Sequence, residues 1–141
     1  LRIKSKLSCA YIDATTQLKE MKVKGRDLST GLPKQLTINT HQVKAAMAES
    51  IETIVDAIKI TLEKTPPELS ADIIEKGIYL TGGGALIDGL DKLISIETHM
   101  PVFVADDPLT CVVRGTGKIV EDETIADKIN TSTKILRQGE F

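Results

Sequence analysis

The sequence has few aromatic side chains, which make up 3% of its 141 residues, and no tryptophan. A core built from this chain must therefore be aliphatic. Cysteine is also scarce. Cys9 and Cys111 lie far apart and have no companion histidine at metal-ligand spacing. Both are expected to be buried structural thiols rather than metal ligands.

An excess of charge of one sign and a long apolar run are absent as well. Eighteen Lys and Arg against twenty Asp and Glu give a formal net charge of −2, which offers no general attraction to nucleic acid or anionic lipid. No apolar run approaches the roughly 20 residues that span a bilayer, and the first twelve residues are too interrupted for a signal peptide. We therefore expect a cytosolic protein with no nucleic-acid partner and no membrane segment.

The composition, 41% apolar and 27% charged, is typical of a folded chain. The first residue is leucine rather than methionine and has no helix-cap signal, so the sequence is expected to be a piece of something longer. Ile3, Leu7 and Ala10 would then finish a helix that began earlier. Between residues 18 and 38, MKVKG and QLTI alternate apolar and polar residues around a segment with Asp27, Gly31 and Pro33, which predicts an antiparallel hairpin.

A long amphipathic helix should follow the hairpin. Asn39 and Gln42 are spaced as a capping box, and the pattern stops at Thr65 before two prolines. Its apolar positions recur every three or four residues: Val43, Met47, Ile51, Ile54, Ile58 and Leu62. Its charged positions predict a solvated face, and they are Glu49, Glu52, Asp56, Lys59 and Glu63.

The remaining elements predict a βαβ unit. The segment TPPE opens a helix that Gly77 should end, with Leu69, Ile73 and Ile74 on its buried side. A strand IYLT, three glycines, a helix and a strand VFVA then follow, and the two strands should be parallel. The helix between them is expected to carry Leu86, Leu90, Leu93 and Ile94.

A final helix should run from Pro108 toward Val120, capped by Asp106 or Asp107. Gly115 and Gly117 are expected to give it small faces for close packing. Beyond Glu121 the pattern weakens, so residues 122–141 are predicted to be weakly structured.

The glycine run at residues 82–84 has two interpretations. At the carboxyl end of a strand, bare backbone N–H groups suit a phosphate or nucleoside, but three glycines can also make a tight strand-to-helix turn. A Walker loop is excluded because no Lys-Ser or Lys-Thr follows at the required spacing. A dinucleotide site stays open. Gly82 and Gly84 match its first two glycines, and Asp106 and Asp107 lie at ribose-acid spacing, whereas Ile87 replaces the third glycine.

Several joined motifs carry a further identification. The stretch TPPELSADIIEKGIYLTGGGALIDGLDKLISIETHMPVFVADDPLTCVVRGTGK and the hairpin GRDLSTGLPK resemble the C-terminal part of the MreB family of bacterial actins, including its Mbl-type members. The resemblance covers residues 1 to about 120 and implies the second half of an α/β, actin-like (ribonuclease H-like) ATPase domain with a small α+β subdomain. It implies three parts: a small-subdomain remnant with the hairpin (1–40), a nucleotide-binding subdomain with the βαβ unit (41–121) and the tail (122–141).

The resemblance also implies a function. Members bind ATP between two halves and stack head-to-tail into homopolymer filaments under the cytoplasmic membrane. These filaments control rod cell shape and guide cell-wall elongation proteins. The exposed hairpin edge and the long helix are candidate filament contacts. An alternative is a dinucleotide-binding or sugar-kinase-like enzyme domain, but no substrate-binding insertion is visible beside the hairpin, which favours the filament interpretation.

The implied nucleotide contacts are Gly82, Gly83, Gly84 and Ala85, with Ile3 and Lys4 as the remnant of an adenosine-side helix motif. Leu1 stands where the family has a glutamate, which puts adenosine recognition in doubt. The other phosphate loop, the acid that holds Mg²⁺ and the residues that position water belong to the family's first half. We therefore expect no catalytic or metal-binding residue and no appreciable ATPase activity in this chain alone.

Overall fold

The computed structural model describes residues 2–122, 124, 127 and 128, without the side chains of Arg2 and Lys4. The predicted weakly structured tail lies mostly outside these residues. The elements follow one another as α1 (Arg2–Leu7), β1 (Glu20–Arg26), β2 (Pro33–Asn39), α2 (Thr40–Glu63), α3 (Pro67–Lys76), β3 (Ile78–Leu80), a 3₁₀ turn (Gly83–Leu86), α4 (Leu90–Thr98), β4 (Val102–Val104) and α5 (Cys111–Glu121).

The hairpin and the long helix form as predicted, because strong local signals specify both. Strands β1 and β2 pair antiparallel with Val23 opposite Leu36. The Asp27 carboxylate organises their turn, accepting from the Ser29 N–H at 2.9 Å and pairing with Lys34 at 2.8 Å. Helix α2 begins at a complete capping box in which the Asn39 and Gln42 side chains each accept from the other residue's backbone N–H.

Strands β3 and β4 pair in parallel, with Ile78 opposite Val102, and α4 connects them, so the βαβ prediction is confirmed. The core lies where α2 and α4 meet this sheet. Its buried members are Ala10, Ile51, Val55, Ile87, Leu90 and Ile94, and Met47, Ile58, Leu80, Leu93 and Val102 pack against them half-buried. The described core is aliphatic, as the shortage of aromatic residues requires.

Helix α3 does not bury the side that its pattern predicts. No residue of α3 is buried, and Leu69 and Ile74 are 55% and 59% exposed. Leu86 is likewise exposed, and it belongs to the 3₁₀ turn rather than to α4. An apolar stripe shows which face of a helix would pack against a neighbouring element. It does not show that the described residues include that neighbour.

Helix α5 differs from its prediction in three ways. It begins at Cys111 rather than near Pro108, because the Thr110 N–H first closes a turn onto the Asp107 carbonyl at 3.2 Å. Thr110 is its N-cap residue and makes no side-chain cap bond, so Asp106 and Asp107 do not cap the helix; Asp107 instead accepts from the Thr110 hydroxyl. A Cβ placed on Gly115 or Gly117 would meet no atom within 4 Å, so neither glycine serves close packing.

The two cysteines differ in burial. Cys9 is buried as expected, but Cys111 is only half-buried, so that prediction holds for one thiol. Tyr79 of β3 and Phe103 of β4 form an exposed aromatic pair with ring centroids 5.4 Å apart.

Within the described residues, none of the helices combines the length and apolar character that a bilayer crossing requires. The division of the chain into three parts, with boundaries after residues 40 and 121, stays a prediction.

Candidate functional site

The glycine run forms a bend immediately after β3. Gly82 has φ of 76° and ψ of −176°, a conformation that side-chain-bearing residues rarely adopt. The chain then enters the 3₁₀ turn from Gly83 to Leu86, and Ala85 packs into the interior at 7% exposure. The bend itself therefore accounts for glycine at position 82 and for a small side chain at position 85.

The next two glycines are not explained by the bend. Neither Gly83 nor Gly84 has a positive φ. A Cβ on Gly84 would meet no atom within 4 Å, and one on Gly83 would meet only Leu109 Cδ2 at an ordinary contact distance of 3.8 Å. The chain's own packing would thus accept larger residues at both positions. A tight strand-to-helix turn explains one glycine of the three.

The backbone N–H groups of the bend also fall into two sets, those of Gly82 and Ala85 with an acceptor and those of Gly83 and Gly84 without one. The Gly82 N–H donates to the Pro108 carbonyl at 2.6 Å, and the Ala85 N–H donates to the Gly82 carbonyl at 3.2 Å. For the N–H groups of Gly83 and Gly84, no acceptor is found among residues 2–122. Two adjacent unused donors with open space around them fit the chemistry of phosphate oxygens.

The segment that follows β4 forms a neighbouring wall of the bend. The Ala105 N–H donates to the Leu80 carbonyl at 3.1 Å, and Pro108 holds Gly82 through its carbonyl. Leu109 lies over Gly83 with 65% of its side chain exposed. Sequence reasoning did not assign Leu109 to the site. Its position after the second strand of a βαβ unit was the available signal, because the carboxyl ends of parallel strands meet at one edge.

Asp106 and Asp107 lie on the same segment and are exposed. Their position after β4 is where the dinucleotide interpretation requires an acid, but the stretch after the glycines does not continue as that motif requires. The second and third glycines belong to the 3₁₀ turn Gly83–Leu86, and α4 begins only at Leu90, eight residues after Gly82. The glycine-rich turn of a dinucleotide fold instead leads directly into its helix.

The chain start is joined to the stretch that follows the 3₁₀ turn. Cys9 forms a parallel bridge with Asp88, and the Ala10 N–H donates to the Asp88 carbonyl at 2.8 Å. Burial raises the pKa of the Cys9 thiol, which keeps the thiol protonated while it donates to the Tyr11 carbonyl. Ile3 is 37% exposed on α1, whereas the Lys4 side chain lies outside the described residues. Their assignment to an adenosine contact stays a prediction.

Comparison with known proteins gives a consistent result. The family model described as MreB/Mbl protein matches residues 1–128. The chain is 47% identical over 120 residues to the cell shape-determining protein Mbl of Bacillus subtilis, a match that covers 85% of this chain and 35% of that protein. It is equally similar to the cell shape-determining protein MreB of Escherichia coli, with 47% identity over 120 residues that cover 85% of this chain and 34% of MreB.

Solved structures agree with the sequence matches. The crystal structures of Spiroplasma citri MreB5 bound to ADP and to AMPPNP each superpose with a TM-score of 0.80 at 32% identity. They cover 92% and 93% of this chain, which in turn covers 38% of each structure. The predicted actin-like α/β fold is therefore confirmed. The chain spans about a third of the length of the curated relatives that it matches.

Proposed function

Since the chain belongs to the MreB/Mbl family of cell shape-determining proteins, we propose that it is part of a bacterial cytoskeletal protein that binds ATP and polymerises into filaments. In this proposal residues 82–85 hold the phosphates of the nucleotide, and the remainder of a longer protein supplies the opposite wall. The similar structures of Spiroplasma citri MreB5 bound to ADP and to AMPPNP support the choice of an adenine nucleotide.

One observation carries the nucleotide assignment: the N–H groups of Gly83 and Gly84 have no acceptor among residues 2–122, and the space around both residues is open. The packing of the described residues explains neither these two donors nor the absence of a side chain at positions 83 and 84. Leu109 offers an apolar side chain beside these donors, which suits the flat face of a base or ribose. Mg²⁺ would be held by residues outside this chain, and the bend contributes only uncharged backbone groups.

We expect ATP to bind the isolated chain weakly, with a dissociation constant on the order of 1 mM, because one wall supplies a fraction of the contacts. Gly84→Val should weaken binding at least tenfold, since its side chain would occupy the space that phosphate oxygens approach. Fluorescence anisotropy of a labelled ATP measures both values. Thermal unfolding should be nearly unchanged, because nothing lies within 4 Å of that Cβ position.

Gly25→Val is the matched control, because its Cβ position is equally open and lies in the hairpin. It should leave ATP binding unchanged. NADH should bind more weakly than ATP, which separates the proposal from a dinucleotide site. Equal binding of ATP by the Gly84→Val variant and the unaltered chain would remove residues 82–85 from the nucleotide site.

Hydrolysis requires charge stabilisation and water positioning on both sides of the γ-phosphate. The bend provides donors on one side and no general base. In a phosphate-release assay, Mg-ATP incubated with the chain should therefore release phosphate no faster than Mg-ATP in buffer alone. Turnover comparable to that of a whole actin-type ATPase would contradict the proposal that this chain supplies only one wall of the nucleotide site.

Filament formation, association with the cytoplasmic membrane and contact with cell-wall elongation proteins are proposed for the longer protein, on family membership. The hairpin and α2 remain the candidate filament contacts. The hairpin presents Leu28 and Leu32 at its turn, 99% and 65% exposed, and such a protruding apolar tip suits insertion into a neighbouring subunit.

A further inference from the structure

We draw no further inference here: the strongest candidate, the exposed apolar stripe of α5 at Val112, Val113 and Val120, carries none, because nothing in the described part of the chain shows whether the remainder of a longer protein or a second copy covers it.

Discussion

Replacing Ile94 with alanine should lower the free energy of unfolding of this chain by about 4 kcal/mol, within the range measured for large-to-small changes at fully buried sites. Ile94 is 0% exposed and belongs to the cluster that joins α2, α4 and the βαβ sheet. Removing three carbons leaves a cavity bordered by residues of separate elements, which cannot all move inward together. Urea denaturation followed by circular dichroism measures the loss.

Two substitutions calibrate this expectation. Ile94→Val removes one methyl group and should cost about 1 kcal/mol, which keeps the site measurable if the alanine variant fails to fold. Ile96→Ala lies on the same helix but at 49% exposure, so its cost should stay below about 1 kcal/mol. If Ile94→Ala and Ile96→Ala cost the same, the α2–α4 interface is not the centre of the core.

The sequence specified well those elements whose signals are local. The capping box at Asn39 involves residues three apart, and the hairpin turn depends on Asp27 and its neighbours, so short-range hydrogen bonds determine both. Ile51, Leu90 and Ile94 were predicted correctly, because they lie on the apolar stripes of α2 and α4. The stripe of α2 was wrong at one position, since α2 buries Val55 and leaves the predicted Ile54 44% exposed. The aliphatic character of the core followed from composition alone.

The packing errors at α3 and α5 have one physical origin. Both helices have clear apolar stripes, yet neither buries a residue. Periodicity indicates how a helix would orient toward a neighbour, whereas burial depends on whether that neighbour is present. The start of α5 was wrong for another reason: the Pro108 carbonyl accepts from the Gly82 N–H, a contact between residues 26 positions apart that no local pattern reveals.

Of the candidate nucleotide site, the sequence predicted the position of the glycine run. The sequence identified residues 82–84 but could not separate their roles, because the separation depends on φ angles and on what surrounds each Cβ position. Glu52, Asp56 and Lys59 were interpreted as a solvated face of α2, and in part they are exposed. Lys59 nevertheless pairs with Glu97 of α4 at 2.6 Å, a contact between residues 38 positions apart that the sequence pattern does not show.

Gly89→Ala should be the other severe substitution, with a cost of about 3–4 kcal/mol from left-handed strain and overpacking together. Gly89 has φ of 72°, and a Cβ at this position would lie 2.8 Å from the Tyr11 carbonyl oxygen and 3.2 Å from the Tyr11 nitrogen. Both are backbone atoms, so no rotamer change relieves the contact. Equilibrium unfolding in urea tests the value.

Gly115→Ala is the matched control, because its Cβ position in α5 is open; it should stabilise the chain by up to about 1 kcal/mol. Gly89→Asn separates the two sources of cost at the original position. Asparagine tolerates a left-handed conformation but keeps the clash with Tyr11, so it should remain at least 2 kcal/mol less stable than the unaltered chain. Full recovery with asparagine would show that backbone conformation alone requires glycine there.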